Sequence, residues 1–390
     1  MTEATIMTEP PSRPIAAFVR PGSFPISRVV RNLRVAKSNG YDPVYIGAAR
    51  DASLPKFDTW EGFPIERVGI SYALLGGKRA WLYLFGVLTF AFAANRRLFQ
   101  LKPAVVHGSD VEGMLGCLLY RFVYRRTTLL FNVHDNMPQR YRCPAFAKAC
   151  LRVFEGLIAR CADRVVLPDA RRVEAMGRWA PEDPVLVPNT PEDPGKPSDP
   201  PAAGRVRLLL VGWLDWRRGV ETAKDLLESS DAIELVVAGD GPPDVVEAIR
   251  SFPRTTYHGF VTHERVFELA ADCHAFLALY DPACEINRNA SPNKVGDALA
   301  LGRPVIINSE VAVAASLIAA DCAIAVPYDR TDQLATAIDR ELRTPFRLAQ
   351  LCRNARRHYE QVYDWERFRP AVESLFPSTP ARRQTRPDAA

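Results

Sequence analysis

The chain has 390 residues, enough for two domains of ordinary size. Apolar residues make up 47% and charged residues 24%, proportions that exclude a fibrous or wholly disordered protein. The net charge of +5 suits anionic small molecules or an anionic membrane surface, and it is too weak to argue for nucleic acid as a partner.

Residues 1–14, MTEATIMTEPPSRP, read as a disordered lead-in. They lack the basic start and apolar core of a signal peptide. The eight cysteines are scattered without a CxxC pair, which fits a reducing, cytoplasmic setting. A first αβ series is expected over residues 15–187. It opens with a strand at Ile15–Val19, a loop RPGSFPIS, a helix from Arg28 to Ser38 and a strand at Pro43–Gly47. That βαβ start implies a parallel sheet.

Residues 80–94, AWLYLFGVLTFAFAA, carry no charge and are flanked by Lys78-Arg79 and Arg96-Arg97. A spanning helix needs about 20 apolar residues, so this stretch is too short to cross a bilayer. It reads equally as a buried core helix or as one lying in a membrane interface. Strands follow at Ala104–Val106, Leu129–Val133, Arg164–Leu167 and Val185–Val187, with a helix at Phe146–Cys161.

Residues 188–204, PNTPEDPGKPSDPPAAG, have the composition of an inter-domain linker. A second series over 205–355 has strands at Val206–Val211, Ile233–Ala238, Tyr257–Phe260, Ala275–Leu279 and Val305–Ile307, with a helix from Gly219 to Ser229. A last helix from Trp365 to Leu375, capped by Asp364, precedes a polar tail at 376–390 that reads as disordered. The fold class is therefore α/β, with two doubly wound parallel-sheet (Rossmann-like) domains facing across a cleft. Ligands of such sheets sit at the carboxyl ends of the strands.

One segment, ASPNKVGDALALGRPVIIN (290–308), is built as a helix followed by a core strand. Ser291 is placed to cap the helix and Pro292 suits its first turn. A helix start favours acid, yet here Asn293 and Lys294 occupy it. Free amides beside a lysine form a site for an external anion such as phosphate. A solvated lysine on an ordinary helix is the other reading. Elsewhere in this half, VGWLDWRRGV carries Gly212 and then Arg217-Arg218 before a helix start. VVAGDGP ends a strand in a turn containing Gly239 and Gly241, and YHGFV ends another.

These four elements, in this order, resemble the donor domain of a GT-B glycosyltransferase of the retaining family 4 type. In the first half, NVHDN, ADRVVLPDARRVEAM and VPNTPED resemble that family's strand-end histidine motif and late elements. YDWERF resembles its closing segment, so 356–375 is expected as a helix crossing back to the first domain. The resemblance implies transfer of a sugar from a nucleotide-sugar to an acceptor hydroxyl, with no other cofactor. It implies that Arg218, Lys294 and the amides after Ser291 hold the donor phosphates, and that Asp297 holds the ribose. His134 would sit near the transferred sugar, though a structural histidine at a strand end is the alternative. Arg28 resembles an acceptor-side arginine, though a solvated helix-start residue is equally compatible.

Three departures stand out: Trp213 replaces a basic residue, Asn289 replaces a first glutamate, and Asp297 is shorter than the usual second one. Asn289 with Lys294 reads as a variant donor site. With no Asp-x-Asp motif, metal-independent transfer is expected. The apolar stretch and the basic residues Arg121, Arg125 and Arg126 would suit a lipid-linked or glycan acceptor at an anionic membrane face. The acceptor would sit in the first domain. A non-catalytic partner subunit and a sugar-nucleotide epimerase remain the rival functions.

Overall fold

The computed structural model describes residues 13–49, 53–69, 80–141, 143–201 and 204–377. The calls on residues 1–12 and 378–390 lie outside the described residues.

The first domain runs β1 (Ile15–Val19), α1 (Ser27–Ser38), β2 (Asp42–Gly47), β3 (Phe57–Trp60), β4 (Phe63–Arg67), α2 (Ala80–Leu101), β5 (Val105–Ser109) and α3 (Asp110–Val123). It continues through β6 (Thr128–Asn132), α4 (Met137–Arg140), α5 (Ala145–Arg160), β7 (Arg164–Leu167), α6 (Ala170–Met176) and β8 (Val185–Leu186). Its sheet has the order β3-β4-β2-β1-β5-β6-β7-β8. All pairs are parallel except the edge pair β3–β4, so the sheet is mixed rather than wholly parallel. That hairpin departs from the sequence reading. Glu61 and Gly62 turn it with φ of 48° and 78°, left-handed values that let two short strands reverse tightly.

The second domain holds β9 (Val206–Trp213), α7 (Val220–Ser229), β10 (Ile233–Asp240), α8 (Pro243–Ser251), β11 (Thr255–Tyr257), α9 (His263–Ala271) and β12 (Ala275–Ala278). It continues with α10 (Glu285–Arg288), α11 (Asn293–Ala300), β13 (Val305–Asn308), α12 (Ala314–Ala319), β14 (Ala323–Val326), α13 (Thr331–Leu342) and α14 (Pro345–His358). Its order is β11-β10-β9-β12-β13-β14, parallel throughout. β14 lay unread in the sequence because Ala323–Val326 is only four residues long and carries two alanines.

Each sheet is buried on both faces, so its strands read as continuous apolar runs. In β1, Ala17 and Val19 join one core while Ala16 and Phe18 join the other. In β9, Leu208 and Leu210 face one side and Leu209 the other. Strand order reverses beside β1 and beside β9, which puts a crevice at the ends of β1/β5 and of β9/β12.

The C-terminal segment is not one helix. After α14 come a π turn at Tyr359–Tyr363, a 3-10 turn at Trp365–Arg367 and α15 (Arg369–Glu373). Asp364 does cap, accepting from the Glu366 amide at 3.1 Å. Trp365, Val372, Leu375 and Phe376 are buried in the first domain's core beside Leu33 and Tyr41. Phe376, the first residue of the tail read as disordered, is thus packed. The segment 188–201 is also pinned. Arg303 grips the Ser198 carbonyl at 3.0 Å, and Arg356 pairs with Asp193 at 2.7 Å.

Candidate active site

The second domain supplies a cationic corner. Gly239 ends β10 against Gly212, where a Cβ would stand 1.9 Å from the Gly212 carbonyl oxygen. Only glycine permits that approach. Gly241 is similarly close to Leu214, at 2.3 Å. The 3-10 turn Trp216–Arg218 follows, its start capped by Asp215. Arg218 lies over the ring of Tyr280 at 6.0 Å, and Lys294 lies over the same ring at 5.6 Å. Tyr280 lies two residues past the end of β12, so one aromatic face organises both cations. The Lys294 ammonium donates to the Leu277 carbonyl at 3.2 Å and forms no ion pair among the described residues. Burial and the charge of Arg218 pull it down to about 7.

The other donor-side residues divide. Arg217 is drawn 3.8 Å from Asp281 and stands largely in solvent. Asn289 closes α10 and is half-buried. Ser291 is not the helix cap: Pro292 occupies that position, and the Ser291 hydroxyl instead donates to Asp169 in the first domain. Asn293 begins α11, whose first turn has no acid. Asp297 is buried and held by His263, Nε2 to Oδ1 at 2.9 Å. That contact raises the imidazole above its ordinary value despite burial. Gly296 lets α11 press on the hinge, since a Cβ there would meet the Asn189 carbonyl at 2.4 Å.

The first domain supplies the facing wall. His134 follows β6, with Nε2 shielded from water and without a partner among the described residues. Burial, then the charges of Arg28 and Arg20, holds its ring well below the usual histidine range, so it stays neutral. Its backbone N–H donates to Asp110 Oδ1 at 2.9 Å. Asp110 is left-handed (φ 56°) and buried, which pushes its carboxyl up to about 6. Arg28 is buried and donates to Asn189 Oδ1 at 3.2 Å, so it is not the solvated residue of the simpler reading.

The two walls touch. Asn189 donates to the Ser291 carbonyl at 2.5 Å, and Lys148 pairs with Glu285 at 2.5 Å. Phe260 of the second domain packs on Trp60 and Phe24 of the first at 5.3 and 5.4 Å between ring centres. Asp110, Tyr280, His263 and Arg31 were not singled out from sequence. Asp110 and Tyr280 had a signal, Asp110 directly following a strand and Tyr280 lying two residues past one. His263 and Arg31 had none, because their partners are remote in the chain. Among the described residues no cluster of three or more His, Cys, Asp or Glu is placed for a metal.

Two doubly wound domains closed on a cleft, with cations at a helix start in one and a strand-end histidine in the other, define a GT-B glycosyltransferase fold. Residues 205–344 match the family model described as glycosyl transferases group 1, and residues 26–190 match the glycosyl transferase 4-like domain. The chain belongs to the group 1 glycosyltransferases. Solved structures agree in fold. Sucrose-phosphate synthase from Thermosynechococcus elongatus is 17% identical with a TM-score of 0.69, over 93% of this chain and 98% of that one. HepE of Anabaena, solved with UDP-glucose, is 13% identical with a TM-score of 0.66, over 94% and 100%. WaaG, a glycosyltransferase involved in lipopolysaccharide biosynthesis, is 13% identical with a TM-score of 0.64, over 93% and 100%. A search of curated proteins finds no sequence match.

Proposed function

We propose that the cleft transfers a sugar from a nucleotide-sugar to an acceptor hydroxyl, with the second domain holding the donor and the first the acceptor. The observation that carries this is the pair Arg218 and Lys294 on Tyr280. Two cations meet at a helix start and Lys294 has no ion-pair partner among the described residues, so a diphosphate is the group that fits. As the donor bond breaks, negative charge grows on the leaving diphosphate. Fixed cations there stabilise that charge more than they stabilise the bound donor. Gly212, with open space where a Cβ would stand, leaves room for the donor beside the tight turn of Gly239 and Gly241, while Asp297, steadied by His263, accepts from ribose hydroxyls. Asn289, Ser291 and Asn293 border the phosphate end, and Arg217 stands at its mouth. His134, neutral and unpartnered at Nε2, donates or accepts one hydrogen bond at the transferred sugar.

Side chains supply all the positive charge in this reading, so transfer is metal-independent, and the resemblance favours retention. HepE was solved with UDP-glucose, which makes a uridine donor the first to try. The test is a thermal-shift screen of UDP, GDP, ADP, dTDP and their sugars against the protein and Lys294→Ala. A ligand that binds only the folded state raises the melting temperature. A rise with one nucleotide, lost in the variant, supports the reading. No rise with any nucleotide favours a non-catalytic partner subunit, and isomerisation of the free nucleotide-sugar without acceptor favours an epimerase.

A second reading concerns the acceptor. Leu84, Phe85, Leu88 and Phe92 form an exposed stripe on α2, from 50% to 73% open. Leu119, Phe122 and Val123 are exposed on the adjacent α3, near Arg121, Arg125 and Arg126. Apolar side chains beside arginines suit shallow contact with an anionic membrane, and hence a lipid-linked glycan acceptor in cell-surface polysaccharide synthesis. Among the described residues no helix is long and apolar enough to cross a membrane.

A further inference from the structure

The closed cleft leaves two buried guanidiniums unanswered. Arg28 and Arg31 lie one turn apart on α1 and are 2% and 4% exposed. Arg28 uses Nη1 on Asn189. Arg31 gives Nη1 to the Thr190 carbonyl and lays its plane on Trp365, 4.2 Å from the ring centre. The Nε and Nη2 of both are buried with no hydrogen-bond partner among the described residues. Buried donors are ordinarily paired, and a buried charge is costly without a counter-charge.

Asp110, Asp169 and Asp135 act on Arg28 by charge but form no hydrogen bond with it, and the acids at the pocket are taken by other partners. Glu61 and Glu192 are both taken by Arg34, each at 2.9 Å. Asp297 is taken by His263, also at 2.9 Å. All these residues border one narrow pocket, closed on its far side by Asn293 at the start of α11. The hydrogen-bond chain from Arg28 through Asn189 to the Ser291 carbonyl ties the arginines to that helix start. Burial lowers Arg28 to about 10 and Arg31 to about 9, and in Arg31 the charge of Arg28 adds to it. At neutral pH both remain charged. Both arginines and Asn293, at the acid-free start of α11, line that same pocket. A tetrahedral oxyanion has enough oxygens to satisfy several donors at once, which a carbonyl or hydroxyl does not.

We infer that Arg28 and Arg31 form an oxyanion site of the phosphate class, supplied by the first domain and closed by α11 of the second. The site rests on the transferase reading only for the source of its phosphate, which is either the donor's diphosphate or a phosphate on the acceptor. In either case the anion draws the two domains together.

The test is calorimetric titration of the full chain with inorganic pyrophosphate in a chloride buffer, alone and with saturating UDP. Saturable binding is expected, weakened about tenfold or more in Arg28→Gln and Arg31→Gln, the loss of one charge-assisted hydrogen bond. Arg31 also props Trp365, so its variant can lose stability; Arg28→Gln, which gives up only a bond to Asn189, keeps the test decisive. If UDP excludes pyrophosphate and Arg28→Gln weakens UDP by the same factor, the donor supplies the phosphate. If pyrophosphate still binds over UDP, the acceptor supplies it. No pyrophosphate binding, or equal binding by variants whose unliganded melting temperature is unchanged, overturns the inference. Sugar transfer that persists in that event leaves the transferase reading standing. Pyrophosphate binding without any nucleotide binding sinks the transferase reading alone.

Discussion

In the proposed reaction Lys294 holds the leaving diphosphate, and its protonation is measurable. In the unliganded fold it sits at about 7, below the roughly 10.4 of a free lysine. Between those values the unfolded chain holds a proton that the folded chain lacks. Stability of the ligand-free protein therefore rises with pH across that window. A diphosphate beside the ammonium favours the charged form and pulls the proton back. Nucleotide binding near pH 8 is expected to take up a fraction of a proton. Calorimetry in buffers of different ionisation enthalpy reads this directly, and a binding enthalpy independent of buffer would refute it.

Asp110 works in the opposite direction. Burial holds its carboxyl at about 6, above the unfolded value of about 3.9. Its contribution is fully favourable below the unfolded value and is lost as pH rises through 6. Its Oδ1 nevertheless fixes the backbone of His134 and, more weakly, of Asp135. Asp110→Asn keeps the shape, and asparagine tolerates the left-handed backbone. The variant is expected to be more stable than the wild type at pH 8 by on the order of 2 kcal/mol, with the difference vanishing near pH 4. Its kcat should fall. Melting curves at the two pH values decide the stability half.

At the scale of elements, α2 shows why one stretch supported two readings. Val87, Phe90, Ala94 and Leu98 are buried, while Leu84, Phe85, Leu88 and Phe92 are open. Both faces are apolar, so periodicity could not separate core from surface. The two faces predict different phenotypes. Phe90→Ala should cost about 3–5 kcal/mol of stability as a core truncation. Phe92→Asp should leave the melting temperature unchanged and reduce co-sedimentation with anionic vesicles. Equal vesicle binding by Phe92→Asp and the wild type would remove the membrane reading.

The same scale explains what else was legible. Most strands were readable because both faces of each sheet are covered, which makes the strands apolar runs. The hairpin β3–β4 was not: FDTW is a half-exposed edge strand, and FPIER, though largely buried, is mixed in composition, with a proline, a glutamate and an arginine. The start of α11, with no acid in its first turn, was readable from Pro292, Asn293 and Lys294. The role of Ser291 was not, because its partner Asp169 lies 122 positions away. Burial of Arg28 and Arg31 depends on the hinge and on Trp365, and no local pattern carries that.

For the whole molecule, the question is what holds the cleft shut. Among the described residues the direct links include the Lys148–Glu285 pair, the Ser291–Asp169 and Asn189–Ser291 bonds, a long bond from the His263 amide to Glu61 at 3.5 Å, and the ring cluster of Phe24, Trp60 and Phe260. The ion pair is partly exposed and contributes little, of order 0–1 kcal/mol. The aromatic cluster therefore carries most of the adjustable closing energy, at about 0.5–1.5 kcal/mol for each ring pair beyond area burial. Trp60 sits at the tip of the β3–β4 hairpin and touches the second domain through Phe260 alone among those rings. Trp60→Ala removes two ring pairs without touching the donor corner. It should shift the population toward an open form and weaken nucleotide binding by roughly the fraction of closed form lost. Small-angle scattering should then give a larger radius of gyration for the unliganded variant than for the wild type, with the two converging at saturating nucleotide. A variant as compact as the wild type without ligand would place the closing energy elsewhere, in the hinge and the C-terminal segment packed on α1.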